Sequence, residues 1–171
     1  MRGLSDAVRQ GFLITLLALA SLLAGCDVKN ISELEEGVST EADVRERFGA
    51  PEAVWEGEEG AQIYEYNRQP AGHVNYMITI GPDGRMAALR QVLTERNFAR
   101  VLPGMAMEEV RRMLGKPMKI TTYALKRETH YDWRYLDGAS RSDSMVFTVV
   151  FDPDLRVVNT MTAPDPDLER R

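Results

Sequence analysis

Two places in this sequence hold side chains whose type and spacing could do chemistry. Cys26 is the only cysteine of the chain, and it directly follows the Leu-Ala-Gly of residues 23–25. A lone cysteine cannot form an internal disulfide, so its thiol is open to another covalent bond. His130 and Asp132 are two residues apart, which would place both on one face of a strand. Neither a serine, nor a cysteine, nor a metal-ligand spacing accompanies them, so we predict no catalytic residue, no metal site and no cofactor, and we expect His130 and His73 to be exposed strand residues.

Residues 1–25 have the parts of an export signal, with Arg2 and Arg9 before an apolar run of 13 residues that ends at Ala24. That run is shorter than the roughly 20 residues that a membrane-spanning helix needs. The segment resembles a lipoprotein signal peptide, and residues 23–26 resemble the lipobox of bacterial lipoproteins. The resemblance implies signal-peptidase cleavage between Gly25 and Cys26, followed by acylation of Cys26, with palmitate among the attached chains. We therefore expect the mature chain to be held at a membrane by lipid.

Asp27 would be the second residue of that mature chain and is the candidate sorting residue. In enteric bacteria, an aspartate at this position signals retention in the inner membrane, although the rule is not universal. We expect a location at the periplasmic face of the cell envelope. The outer membrane is favoured, and Asp27 leaves the inner membrane as the alternative.

The charge of the chain argues against nucleic-acid binding. The net charge is −5, and without residues 1–25 it becomes −6, whereas nucleic-acid binding requires a basic patch. The length suits one domain or two small ones. A unit of about 65 residues is marginally stable alone, so two such units would pack together. We predict no small-molecule substrate.

The sequence contains two diverged copies of one unit. Four blocks recur in the same order, and internal repeats of this kind define the architecture. We predict a tether at residues 26–30, a first unit at 31–96, a second unit at 97–163 and a polar tail at 164–171. The matched blocks are 31–37 with 98–104, 44–51 with 110–117, 64–66 with 133–135 and 78–86 with 149–157.

Each copy reads as two short helices followed by three or four antiparallel strands. Val44 and Phe48 lie four residues apart, as do Val110 and Leu114, so each pair shares one helix face. After the helices the apolar period changes to two, which indicates strands. We therefore predict an α+β fold, in which a helix pair covers one face of each sheet. Strand position also favours core packing over interface roles for Trp55 and Trp133.

Residues 104–117 follow the pattern G-M-x-x-x-x-V-x-x-x-L-G-x-P, and an aromatic strand at 133–135 comes after it. This pattern resembles the SmpA/OmlA domain of the BamE family of outer-membrane assembly lipoproteins. The second copy matches well and the first loosely, whereas a typical family member has one such domain. The β-lactamase inhibitor protein family shares the fold type, with tandem units.

The resemblance implies a non-catalytic, membrane-anchored lipoprotein that binds protein partners. It would support outer-membrane β-barrel protein assembly or envelope integrity, with outer-membrane assembly proteins as its partners. The alternative is an inhibitor-like module that docks a periplasmic or cell-wall enzyme. A hydrolase that uses His130 and Asp132 is the least favoured reading.

Overall fold

The computed structural model describes residues 30–138 and 143–167. The signal peptide, the cleavage site at Gly25 and Cys26 and the sorting residue Asp27 lie outside these residues, so those assignments stay predictions. No helix in the described part of the chain is both long enough and apolar enough to cross a membrane. The elements are α1 (Glu41–Phe48), β1 (Ala53–Glu56), β2 (Gln62–Asn67), β3 (Asn75–Ile80), β4 (Met86–Gln91), α2 (Glu95–Phe98), α3 (Met107–Leu114), β5 (Lys119–Tyr123), β6 (Glu128–Leu136), β7 (Ser144–Phe151) and β8 (Val157–Pro164).

The strands form two antiparallel four-stranded sheets, in the orders β1-β2-β3-β4 and β5-β6-β7-β8. Each sheet is a meander, because consecutive strands pair along its whole width. We call the first sheet with α1 the first unit, and the second sheet with α2 and α3 the second unit. The predicted α+β class is confirmed, and each sheet has four strands.

Local sequence explains the start and the end of α1. The Thr40 hydroxyl accepts a hydrogen bond from the Asp43 backbone N–H, and the Asp43 carboxylate accepts one from the Thr40 backbone N–H at 2.8 Å. The two bonds form a capping box, in which a Thr and an acidic residue three positions later each bond the other's backbone N–H. The helix ends at Gly49, whose positive φ of 81° suits a residue without a Cβ. The equivalent helix α3 ends in the same way at Gly115, with φ of 76°.

Two hydrophobic cores form, one under each sheet. The first contains Val44 and Phe48 of α1, packed on Tyr64 and Ile78. The second contains Val110 and Leu114, together with Trp133, which is completely buried. The predicted helix faces and the core position of Trp133 are confirmed. The core of the second unit also includes Leu93, which precedes α2, and Phe98, the last residue of α2.

The predicted correspondence of residues 64–66 with residues 133–135, in β6, is wrong by two residues. Tyr66 donates a hydrogen bond to the Gly49 carbonyl at 3.1 Å, and Trp133 donates the equivalent bond to the Gly115 carbonyl at 3.0 Å. Tyr66 therefore corresponds to Trp133, not to Tyr135. Residues 64–66 correspond to 131–133, and Glu65 takes the place that Asp132 has in the second unit.

Candidate binding surface

A polar clasp joins the two units. Glu65 and Asn75 lie on the outer face of the first sheet, and both are completely buried. The Glu65 carboxylate accepts a hydrogen bond from the Lys116 backbone N–H at 2.6 Å, and Asn75 Nδ2 donates to the carbonyls of Leu114 and Lys116 at 2.8 and 3.1 Å. The first sheet thus binds the backbone groups that α3 leaves unpaired at its C-terminal end. This clasp fixes the position of one unit against the other.

The connection between β2 and β3 adds a second contact between the units. β5 does not reach the last residues of β6, so β6 has a free backbone edge there. The side-chain amide of Gln69 closes it, with Nε2 donating to the Arg134 carbonyl at 2.8 Å and Oε1 accepting from the Arg134 N–H at 3.2 Å. One side chain thus takes the role of a neighbouring strand.

The turn between β3 and β4 is equivalent to the turn between β7 and β8, but the two turns differ at one position. The Glu41 N–H donates to the Gly84 carbonyl at 2.9 Å, and the Met107 N–H donates to the Leu155 carbonyl at 2.9 Å, so Gly84 and Leu155 are equivalent. Gly84 has φ of 75°, which glycine adopts without strain, whereas Leu155 has φ of 55°. A left-handed conformation costs an L-residue with a Cβ about 1–2 kcal/mol. The second unit therefore keeps a strained leucine where the first unit has glycine, and this leucine is 39% exposed.

Leu155 belongs to a pair of neighbouring turns at one end of the second sheet. We call residues 123–128 and 152–158 the loop pair. In the first of these turns Arg127 also has a positive φ, of 55°, and Leu125 is fully exposed. A cleft of about 390 Å³ separates the turns, lined by Lys126, Arg127, Glu128, Asp152, Pro153, Asp154 and Val158. Strained residues cluster where a structure binds or reacts, so the loop pair is the candidate binding surface.

The structure does not assemble a catalytic pair from His130 and Asp132. Both residues lie on one face of β6, as the spacing predicts, but the Asp132 carboxylate accepts a hydrogen bond from the Thr148 hydroxyl at 2.7 Å. His130 Nε2 lies 3.2 Å from Glu128 Oε2 instead, and its ring packs against Tyr123. The side chain of His130 is only 14% exposed, so the expectation of an exposed histidine is wrong.

His73 is also not an exposed strand residue. It lies in the connection before β3, half-buried, with Nε2 at 3.0 Å from the Ser144 hydroxyl of the second unit. Ser144 in turn donates to Asp165 at 2.9 Å. In a catalytic triad the imidazole lies between the hydroxyl and the carboxylate, whereas here the hydroxyl lies between the other two. Burial lowers the pKa of His73, and nearby Arg134 lowers it further, against the opposite effect of Asp165.

Trp55 does not pack in a core, which corrects the prediction for this residue. It is half-buried on the outer face of the first sheet, where its Nε1 donates to Glu65 Oε2 at 3.3 Å. The guanidinium of Arg112, on α3, lies 5.3 Å from its ring centroid. Trp55 is therefore part of the contact between the units. Within the described residues, no group of His, Cys, Asp and Glu side chains has the arrangement of a metal site.

The sequence matches no family model and no curated protein. Among solved structures, a DUF4309 family protein from Bacillus subtilis is similar with a TM-score of 0.29 and 20% identity, over 78% of this chain and 83% of that one. A putative beta-lactamase inhibitor protein from Streptococcus mutans is similar with a TM-score of 0.32 and 10% identity, over 80% and 94%. Both likenesses are distant.

Proposed function

We propose that this chain is a non-catalytic, exported lipoprotein that binds a protein partner of the cell envelope through the loop pair of its second unit. One observation carries the proposal: Leu155 is strained and exposed at a turn where the equivalent Gly84 is relaxed. A leucine at this position does not help the turn to form. Its side chain must contribute elsewhere, and an exposed apolar side chain contributes most when a partner covers it.

The form of the loop pair favours a concave partner surface. Two turns project from the end of one sheet, and the fully exposed Leu125 and the partly exposed Leu155 supply apolar anchors. Cations of the first turn and carboxylates of the second surround them, so the rim is polar with both signs of charge. Projecting loops of this kind enter clefts, as long binding loops do in other proteins. This supports the inhibitor-like version, in which the partner is a periplasmic or cell-wall enzyme.

A second version of the function rests on a different observation. Residues 104–117, which include α3, carry the sequence pattern that resembles the BamE family. In this version the partner is a protein of outer-membrane β-barrel assembly. Both versions require the same anchored, two-unit body, so the identity of the partner distinguishes them.

The anchoring part of the proposal rests on Cys26 and on the short distance from it to the folded body. Asn30 already contacts the first unit, because its Nδ2 donates to the Arg47 carbonyl at 2.7 Å. Three residues separate Cys26 from Asn30, and a chain of that length spans no more than roughly 14 Å. A lipid on Cys26 would therefore hold the first unit close to the bilayer.

Site-specific photo-crosslinking in intact cells tests the binding surface. A photoreactive residue at Asp154, within the loop pair, should crosslink to one partner protein. The matched control is the same residue at Asp83, which is exposed at the equivalent turn of the first unit. Capture of a hydrolase supports the inhibitor-like version, and capture of an assembly subunit supports the other. Equal crosslinking from both turns, or none from Asp154, would contradict the assignment of the loop pair.

Envelope fractionation tests the anchor. Cys26→Ala should be released from membranes, because the variant lacks the thiol that would carry the acyl chains. Asp27→Ser should stay bound and move toward the outer membrane if Asp27 acts in sorting. A Cys26→Ala protein that remains in the membrane fraction would refute the lipid anchor and leave the binding surface untouched.

A further inference from the structure

The groove beside α3 differs from the rest of the molecule in its charge. Its volume is about 600 Å³, and its apolar lining includes Met107, Met118, Ile120 and Tyr131. Three cationic side chains border it, those of Arg111, Lys116 and Lys119, against the single carboxylate of Glu52. The chain as a whole is acidic, with a net charge of −5. The groove is therefore a local basic site on an acidic protein, which fits an acidic occupant.

The three cations of the groove differ in whether they form an ion pair within the protein. Lys116 is paired with Glu52, and Arg111 Nη2 lies 3.6 Å from the buried carboxylate of Glu65. Lys119 makes no ion pair with any residue of the described ranges and is exposed at the start of β5. Of the three cations, Lys119 is thus the one that is best placed to form an ion pair with a ligand.

One wall of this groove is a free strand edge. β5 pairs with β6 alone, and no strand or side chain among the described residues closes its outer side. The edge strands β1 and β8 also pair with one neighbour each, whereas two other backbone edges are closed by side chains. The carboxylate of Glu36 accepts from the Leu89 N–H at 2.9 Å on β4, and Gln69 closes the end of β6. Proteins generally block exposed edges, so an edge left open beside an apolar, basic groove is a docking position for another strand.

From these observations we propose that the groove binds an extended acidic segment of a partner protein, which pairs with β5 as a fifth strand of the second sheet. Backbone hydrogen bonds to β5 would supply affinity, and alternate side chains would enter the groove or face solvent. Apolar side chains of the segment would cover Met118 and Ile120, the latter 55% exposed in this structure. Acidic side chains, which alternate with the apolar ones, would face Lys119 on the side of β5 opposite to Ile120. This surface is separate from the loop pair and goes beyond the proposed function.

Fluorescence anisotropy with full-length protein in mild detergent tests the proposal. The probe is a fluorescein-labelled peptide of about ten residues that alternates valine and glutamate. Two control peptides carry lysine in place of glutamate, or two prolines in the middle of the acidic sequence. The acidic peptide should bind, and both controls should bind at least tenfold more weakly, because lysine reverses the charge and proline removes the backbone donors.

A charge-reversal variant makes the test specific to the groove. Lys119→Glu should weaken binding of the acidic peptide about fivefold and improve binding of the lysine peptide, in line with the strength of exposed ion pairs. The gain for the lysine peptide excludes misfolding as the cause. The matched control is Arg100→Glu, an exposed cation outside both the groove and the loop pair, which should leave both affinities unchanged. No binding of the acidic peptide, equal binding of the proline peptide, or an equal effect of the two variants would overturn the proposal.

Discussion

The clasp between the units predicts that two equivalent glycines differ in their tolerance of alanine. Gly49 and Gly115 end equivalent helices with φ of 81° and 76° and ψ of −160° and −170°, a conformation essentially restricted to glycine, so alanine meets the same strain at both, about 1–3 kcal/mol. At Gly49 a Cβ would have no atom within 4 Å. At Gly115 it would lie 3.0 Å from Asn75 Nδ2 and 3.2 Å from Glu65 Oε1.

Neither neighbour of Gly115 can move away without loss. Asn75 and Glu65 are completely buried, and each holds backbone groups at the end of α3. A buried polar group that loses its partner costs about 1–3 kcal/mol. Gly115→Ala should therefore lower the free energy of unfolding by about 1–3 kcal/mol more than Gly49→Ala does.

Urea unfolding followed by tryptophan fluorescence measures the difference. The two tryptophans report on the relevant regions, because Trp133 donates to the Gly115 carbonyl and Trp55 lies between the units. The strain and the effect of alanine on the unfolded chain are common to both variants, so they cancel in the comparison. A loss at Gly49 equal to or larger than the loss at Gly115 would refute the clasp as a source of stability.

Three further predictions follow from single residues. Asn75→Val should lower the free energy of unfolding, measured in urea, by about 3 kcal/mol, because two buried carbonyls lose their donor. Valine itself suits this strand position, since Val146 occupies the equivalent place in the second unit. Because the folded state lowers the pKa of His73, the contribution of this residue to stability should be complete above pH 6.5 and should decrease as the pH drops below it. His73→Gln should flatten that dependence in urea midpoints measured between pH 7.5 and 5, and an unchanged slope would show that His73 is not its source. Leu155→Asn should weaken binding of the crosslinked partner about tenfold in titrations, because asparagine accepts the left-handed conformation but loses the apolar contact.

Local signals in the sequence predict the helices well. Thr40 and Asp43 are spaced for a reciprocal cap, and glycine followed by proline two residues later ends each of the two main helices. These features depend on a few consecutive residues, so they can be read without knowing the rest of the fold. The strand positions follow in the same way from the alternation of apolar residues.

The register of β6 could not be obtained from such signals. Tyr131, Trp133 and Tyr135 are three aromatic residues at every second position, and two of them could match Tyr64 and Tyr66. Sliding the match by two residues keeps every side chain on its face, so the pattern is equally good in both registers. What decides the register is the hydrogen bond from Trp133 to the Gly115 carbonyl, a contact between residues that are far apart in sequence.

The clasp cannot be predicted from the sequence for a related reason. Glu65 and Asn75 are polar residues in strands, and polar strand residues are usually exposed. Their burial depends on the packing of the second unit against the first, which no local pattern encodes. The same limit applies to Trp55, because its large apolar ring fits a core as well as a contact between units.

The two units serve as a comparison for each other, and their differences point to separate roles. Core positions keep the same chemistry, as with Ile78 and Val149, so the folding requirement is common. In the first unit the polar replacements fall at the clasp, where Glu65 is completely buried against the second unit, whereas its equivalent Asp132 bonds only to its own sheet. In the second unit the costly replacement is Leu155, on the free end of the sheet. We infer that the first unit has diverged to hold the second, and that the second has diverged to contact a partner.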